Sequence, residues 1–484
     1  MRKKALFLSA IIFLCSFFTF SACKKQVLAD TLYQIEVNLE QNVLSGKERV
    51  TYVNHTDTAI KELKFNLFGN AFRKDAKFSP VSAQHISQSY PNGLNYGNME
   101  VKSVNGRDGE LSFEVSGEDK NVLTVELGNE VFPEEKVWVD IEFTLNLANV
   151  VARTGINACA INLANFYPIL CARDDNGFYE CVYYSKGDPF YSDCADYVVK
   201  ITADKKFKVA SSGKLTDSKN SGDKTTNTYV IDDARSFAFV LSDKFEKITD
   251  NSTGVQIDYY YYDDKSPEVS MEYAVKSMKY FEKTFGEYPY PTYSVVQTQF
   301  VQGGMEFPAL VMISDGLEQK AYGEVIVHET AHQWWQTVVG NNEIEYGFLD
   351  EGLAEYSVVL FYENHPEYNL SRKALINSAK DTYKVFCSVS DKLFGKVNTV
   401  MLRSLKDFNS EYEYVNMAYI KPCIMYDYLR QTIGDNKFFN GLKKYYSNYK
   451  FLNAVPDDLV GVYEKLGADT NGFFDSFFSG KVII

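Results

Sequence analysis

Between about Leu32 and Lys244 the chain alternates apolar and polar positions in short runs broken by turn residues. Tyr33-Gln34-Ile35-Glu36-Val37 and Lys136-Val137-Trp138-Val139-Asp140-Ile141-Glu142-Phe143 are two such runs, with Asn105-Gly106 and Ser212-Gly213 punctuating others. A side-chain period of two buries one face of a strand, so this stretch predicts an all-β, sandwich-like domain. Ser211 to Asn227 is polar and rich in Gly, Ser and Lys, and predicts an exposed hairpin loop. After about Asp250 the period changes. Val255 to Tyr262 predicts one more strand, with its run Tyr259 to Tyr262 packed inside. Ser270 to Phe285 then carries Tyr273, Ser277 and Tyr280 at helical spacing. Helices are also expected over Glu324–Val339, Gly352–Tyr362 and Tyr419–Thr432.

The chain thus divides into an all-β domain over 32–249 and a mostly helical α+β domain over 250–484. Ahead of them, Arg2, Lys3 and Lys4 precede a charge-free apolar run, Ala5 to Phe20, and then Ser21-Ala22-Cys23. That order predicts an export signal over 1–23 and a short tether over 24–31. The segment resembles a bacterial lipobox, with Phe20 where an aliphatic residue is usual; the resemblance implies that Cys23 is lipidated and holds the chain at a membrane. A cleaved signal and an uncleaved anchor are the alternatives. The net charge of −14 leaves no basic surplus for phosphates, which argues against nucleic acid as a partner. Six further cysteines, Cys159, Cys171, Cys181, Cys194, Cys387 and Cys423, lack the paired C-x-x-C spacing of a zinc ribbon, and their connectivity is open.

The chemistry is concentrated in His328-Glu329-Thr330-Ala331-His332, followed after eighteen residues by Glu351. Residues four apart share a helix face, so both imidazoles can point at one ion. Glu351 adds an anionic third ligand, and a catalytic zinc site keeps its fourth position open. One Zn2+ per chain is the expected cofactor. It would polarise water and a scissile carbonyl, while Glu329, beside the first ligand, would accept and pass on the proton. The remaining histidines, His55, His85 and His365, have no partners in sequence and are read as surface or loop residues.

Val327 to Trp335, together with Leu349-Asp350-Glu351-Gly352-Leu353-Ala354-Glu355-Tyr356, resembles the gluzincin aminopeptidases related to aminopeptidase N and leukotriene hydrolase. Gly303-Gly304-Met305-Glu306-Phe307-Pro308 resembles their G-x-M-E-N signature, and Tyr419-Ile420-Lys421-Pro422 their Y-x-K-G element. The resemblance implies a saddle-like β domain followed by a thermolysin-like catalytic domain. It also implies that Gly303, Gly304, Met305 and Glu306 bind substrate, with Glu306 on its free α-amino group, and that Tyr419 stabilises the oxyanion. Phe307 departs from the family's Asn or Tyr, which is expected to alter pocket polarity. The family's N-terminal domain often adds a Gln or Glu near the amine; here only Asn157 or Asn162 could substitute. The chain ends soon after the helices following Tyr419, so the large helical C-terminal domain of many relatives is expected to be missing and the cleft more open. The expected function is aminopeptidase action on extracellular peptides with a free N-terminus. A zinc endopeptidase and a non-catalytic peptide-binding lipoprotein are the alternatives.

Overall fold

A computed structural model describes residues 31–174, 176–468, 470 and 472–482. The expected export signal, Cys23 and the tether up to residue 30 lie outside the described residues. The N-terminal half is built on an eight-stranded sheet. Its main strands are β1 (Leu32–Glu40), β2 (Val43–Val53), β3 (Asn98–Gly106), β4 (Lys136–Asn146), β5 (Ala195–Asp204), β6 (Lys214–Ser221) and β7 (Lys224–Ala234). They run in the order β6-β7-β5-β1-β2-β4-β3, with the short Gly109–Glu110 strand at the far edge. Alternation does what the pattern requires: Tyr33, Ile35, Val37 and Leu39 are buried along β1 while Gln34 and Glu36 face water. A four-stranded sheet containing Ile60–Asn66 and Val122–Val131 covers that apolar face, giving the expected sandwich.

One expectation is corrected. The segment Ser211 to Asn227 is not a loop but mostly strand, because β6 pairs with β7 across a turn at Gly222-Asp223. Every residue of β6 is exposed, so no apolar alternation could mark it; charged and polar side chains cover a sheet edge here.

The C-terminal half begins with a five-stranded sheet. Its strands β8 (Glu246–Asp250), β9 (Gln256–Tyr261), β10 (Thr292–Thr298), β11 (Gly304–Met305) and β12 (Leu310–Ser314) run β8-β9-β10-β12-β11. Tyr259 is fully buried in β9, whereas Tyr260, Tyr261 and Tyr262 are half-buried, so the tyrosine run is only partly packed inside. Its helices include α1 (Pro267–Thr284), α2 (Gln319–His332), α3 (Phe348–Asn364) and α4 (Lys421–Ile433). A third N-terminal sheet, containing Ile161–Leu163 and Phe239–Ser242, meets the second half. There Ala164, Ala238 and Val240 share one apolar cluster with Val296, Met305, Phe307 and Met312. That seam brings N-terminal residues to the edge of β11.

Helix α2 ends at His332, short of the expected Val339, for a visible reason. His332 Nδ1 lies 2.9 Å from the carbonyl of Trp335, and Gln336 has a left-handed φ of 122°. The two buried tryptophans then pin the turn, Trp334 Nε1 donating to the Gly286 carbonyl and Trp335 Nε1 to Ser357 Oγ. Among the described residues no helix is long and apolar enough to cross a membrane, and their six cysteines are free thiols.

Candidate active site

Helices α2 and α3 place the three expected metal donors together. His328 and His332 lie one turn apart on α2, and Glu351 projects from the first turn of α3. His332 Nε2 is 3.0 Å from His328 Nε2 and 3.1 Å from Glu351 Oε2, and His328 Nε2 is 3.3 Å from the same oxygen. Zinc bonds of about 2.0–2.1 Å at tetrahedral angles separate donor atoms by about 3.3 Å, so the triangle is close to the size the ion needs. The ring nitrogens away from the ion are also held. His332 Nδ1 donates to Trp335 O, which leaves Nε2 its lone pair, and His328 Nδ1 is 3.3 Å from Glu355 Oε2.

Electrostatics says the same. Burial pulls His328 down, but the Glu351 and Glu355 carboxylates outweigh it and raise the ring to about 10. Burial pushes Glu351 up, and His332 and His328 reverse this, holding its carboxyl down to about 2. The cluster demands positive charge at its centre, which protons or a divalent cation can supply. The residues fit a zinc ion.

The donors open onto a cavity of about 360 Å³ that Glu306, Glu329 and Tyr419 also line. Glu329 is 5% exposed, and its Oε2 has no hydrogen-bond partner among the described residues. Burial raises its carboxyl to about 7. Gly304 makes room for it: a Cβ there would overlap the Glu329 carboxylate. Glu306 is 4% exposed, and its Oε1 likewise has no hydrogen-bond partner among the described residues. Its strand is fixed by Gln333 on the turn after α2, whose Oε1 accepts from Ala309 N and whose Nε2 donates to Phe307 O. Tyr419 donates its hydroxyl to Glu351 Oε1 and stacks on His328, ring centroids 5.9 Å apart. It sits in a π-helical turn, Asn416–Ile420, immediately before α4. Pro422 lacks the N–H that would bond the Ala418 carbonyl, and the wider turn accommodates it. Gly352 lets α3 lie against Pro422, which a Cβ would meet at 2.5 Å.

Residues 269–477 match the Peptidase family M1 domain. That stretch makes up most of the helical half of the chain. The chain is 25% identical over 209 residues to "Aminopeptidase 2, mitochondrial" of Saccharomyces cerevisiae, covering 40% of this chain and 21% of that protein. Aminopeptidase N of Lactococcus lactis is 23% identical over 239 residues, covering 44% and 26%. The matched stretch therefore spans about a quarter of the length of these relatives. The M1 zinc metallopeptidase of Deinococcus radiodurans superposes with a TM-score of 0.68 at 17% identity, over 95% of this chain and 96% of that one. The same enzyme has been solved as a mutant bound to a Tyr-Ser-Ala substrate. The likeness in fold thus runs through the β-rich half as well.

Beside the matched stretch, the N-terminal half lines the cavity with Arg153, Ser185, Gly187 and Asp188, all of which sequence reasoning missed. Arg153 and Asp188 line the cavity as a buried ion pair. Burial raises Asp188 to about 7, with Arg153 pulling it down and Glu306 pushing it up. The two asparagines considered for this place are used otherwise: Asn157 Oδ1 accepts from the Cys159 and Ala160 amides, and Asn162 bonds Ala152 O and Thr298 Oγ1. Met305 sits behind the cavity, its sulfur accepting from Arg153 Nε. Phe307 packs in the apolar cluster with Phe300 and Met305, so its departure from the family pattern falls in the core. Glu324 and Glu355 also line the cavity. The four-residue rule that marks the histidines would have found both, one turn before His328 and one turn after Glu351.

Proposed function

We propose that this chain is a zinc aminopeptidase that removes single residues from the free N-terminus of peptides. The observation that carries the reading is the buried, unpartnered Oε1 of Glu306 in the same cavity as the metal donors. A carboxylate left without a partner behind a metal triad is a socket for an ammonium group, and it fixes the distance from chain end to reacting bond. The named relatives are aminopeptidases, and the solved M1 enzyme's tripeptide complex supports peptides as the substrate class.

A zinc ion held by His328, His332 and Glu351 would supply Lewis acidity to the attacking water and the scissile carbonyl. Glu329 takes the proton of that water as its oxygen bonds the carbonyl carbon, then delivers a proton to the nitrogen as the C–N bond breaks. Tyr419 turns its hydroxyl from Glu351 to the oxyanion. Gly303 leaves the backbone edge open beside the substrate, Gly304 makes room for Glu329, and the Met305 sulfur accepts from Arg153 behind the cavity.

The test is release of fluorophore from aminoacyl amides, with and without a chelator, by the parent and by Glu329→Gln. Chelator-sensitive release that is lost in the variant is expected; release indifferent to both refutes the reading. Cleavage of N-acetylated peptides as fast as free ones would reject the Glu306 role and favour an endopeptidase. For location, the basic start, apolar run and Cys23 support export and lipid anchoring. Cys23→Ser should release the protein from membranes, and unchanged membrane association would count against the anchor.

A further inference from the structure

The cavity has two ends on either side of the metal donors. At one end Glu306, His332 and Asp350 bring ligand atoms within 4.8 Å of one another, beside the Arg153–Asp188 pair. At the other, His328 leads to Glu355 through its Nδ1, and the wall continues through Ala321, Glu324, Val325 and Val358. If Glu306 takes the substrate's ammonium, the first residue fills the Glu306 end and the reacting bond lies over the donors. The side chain of the second residue then falls on the opposite wall.

That wall has a specific chemistry. Glu324 lies one turn before His328 on α2, about 6 Å along the axis. Glu355 lies one turn after Glu351 on α3. Both side chains line the same cavity. Val325, Val358 and Ala321 give an apolar surface between them. An apolar stem ending in a cation matches that pattern, as in lysine or arginine. Basic competitors are weak. Lys320 reaches Glu324 only at 3.8 Å and is 69% exposed, and Arg153, at the far end, is tied to Asp188. The unpartnered oxygens of Glu306 and Glu329, both on residues at least 95% buried, face the same cavity and mark it as built to receive a ligand.

We propose that Glu324, with Glu355 beside it, forms a subsite for a basic side chain at the second residue of the substrate, so that N-terminal Xaa-Lys and Xaa-Arg peptides are preferred. The proposal rests on the aminopeptidase reading above. It is tested with the zinc-loaded full chain on four tripeptides, Ala-Lys-Ala, Ala-Arg-Ala, Ala-Ala-Ala and Ala-Glu-Ala, following liberated alanine. The Lys and Arg peptides should exceed Ala-Ala-Ala by about tenfold in kcat/KM, the size of one charge-assisted hydrogen bond, with Ala-Glu-Ala slowest. Glu324→Gln should collapse the Lys-to-Ala ratio, and Glu324→Lys should invert the order of the Lys and Glu peptides. Equal turnover of all four, or a Lys-to-Ala ratio unmoved by both variants, overturns the subsite and leaves the aminopeptidase reading standing. No turnover of any tripeptide by metal-loaded protein refutes that reading, and the subsite with it.

Discussion

A single methyl group at Gly304 tests whether the buried position of Glu329 is what catalysis needs. A Cβ built on Gly304 lies 2.5 Å from Glu329 Cδ and 2.7 Å from Cγ, with Oε1 closer still. Carbon atoms in contact prefer about 3.5–4.0 Å, so an overlap of roughly 1 Å has to be relieved. The strand has little freedom to retreat, because Gly304 is paired with Ile313 and the Gly303 carbonyl accepts from Ser314 N at 2.7 Å. Glu329 must therefore turn away inside a site where it is 5% exposed. Overpacking of this kind costs about 1–3 kcal/mol of stability. Displacing the proton acceptor should cost about 10²–10⁴ in kcat. The assay pairs initial rates on aminoacyl amides with zinc content and thermal melting of the Gly304→Ala protein. A folded variant holding one zinc ion, with kcat down at least about a hundredfold, is expected. A folded, metal-loaded Gly304→Ala protein with near-parental kcat would show that the placement of Glu329 is not what the glycine protects.

Tyr419→Phe should lower kcat by roughly a hundredfold or more while KM changes little, and near-normal turnover in steady-state assays would remove its oxyanion role. Glu355→Gln weakens the partner of His328 Nδ1, so zinc affinity in competition with a chelator dye should fall about tenfold or more; unchanged affinity refutes the positioning role. Glu48 is fully buried in β2 with neither oxygen partnered among the described residues, and burial pushes its carboxyl well above 4.5. The folded chain then keeps a proton that the unfolded chain sheds above that value, so stability falls as pH rises past it, by about 1.4 kcal/mol per unit. Glu48→Gln should accordingly raise stability against urea by up to about 3 kcal/mol at pH 7 and by almost nothing at pH 4; an equal effect at both pH values would be inconsistent. Chelation should lower the melting temperature, since zinc binds only the folded cluster, and a melting curve indifferent to metal would argue against the donor triad.

What was legible in the sequence was what depends on local spacing. Four-residue spacing placed His328 and His332 on one face of α2, and alternation marked Tyr33 to Val37 as a half-buried strand. The motif resemblance carried Glu306 and Tyr419 to the cavity. The limits of α2 were not legible, because Gln319 and Lys320 form a polar first turn without periodicity and the helix stops at a tertiary contact between His332 and Trp335 O. Arg153 and Asp188 were hidden for a different reason: no rule of spacing links them to a helix more than 130 residues downstream. Gly304 was read as a substrate-binding residue, yet the atoms that would meet its Cβ belong to Glu329.

The N-terminal half helps to wall the cavity that holds the metal donors. Strand β11, which leads into Glu306, has Met305 in the same apolar cluster as Ala164, Ala238 and Val240 of the N-terminal sheet. Arg153 from that half bonds both the Met305 sulfur and Asp188, so its guanidinium closes the Glu306 end of the cavity. Without that wall Glu306 and Glu329 would be hydrated, and an ammonium group would gain little by pairing with either, because water screens such pairs strongly. The same wall makes these carboxylates costly to fold, since one oxygen of each is taken from water without a hydrogen-bond partner among the described residues. Stability is given up at the two side chains that a substrate ammonium and a reacting water would satisfy. A fold selected for stability alone would have no reason to keep both oxygens unpartnered behind a metal triad.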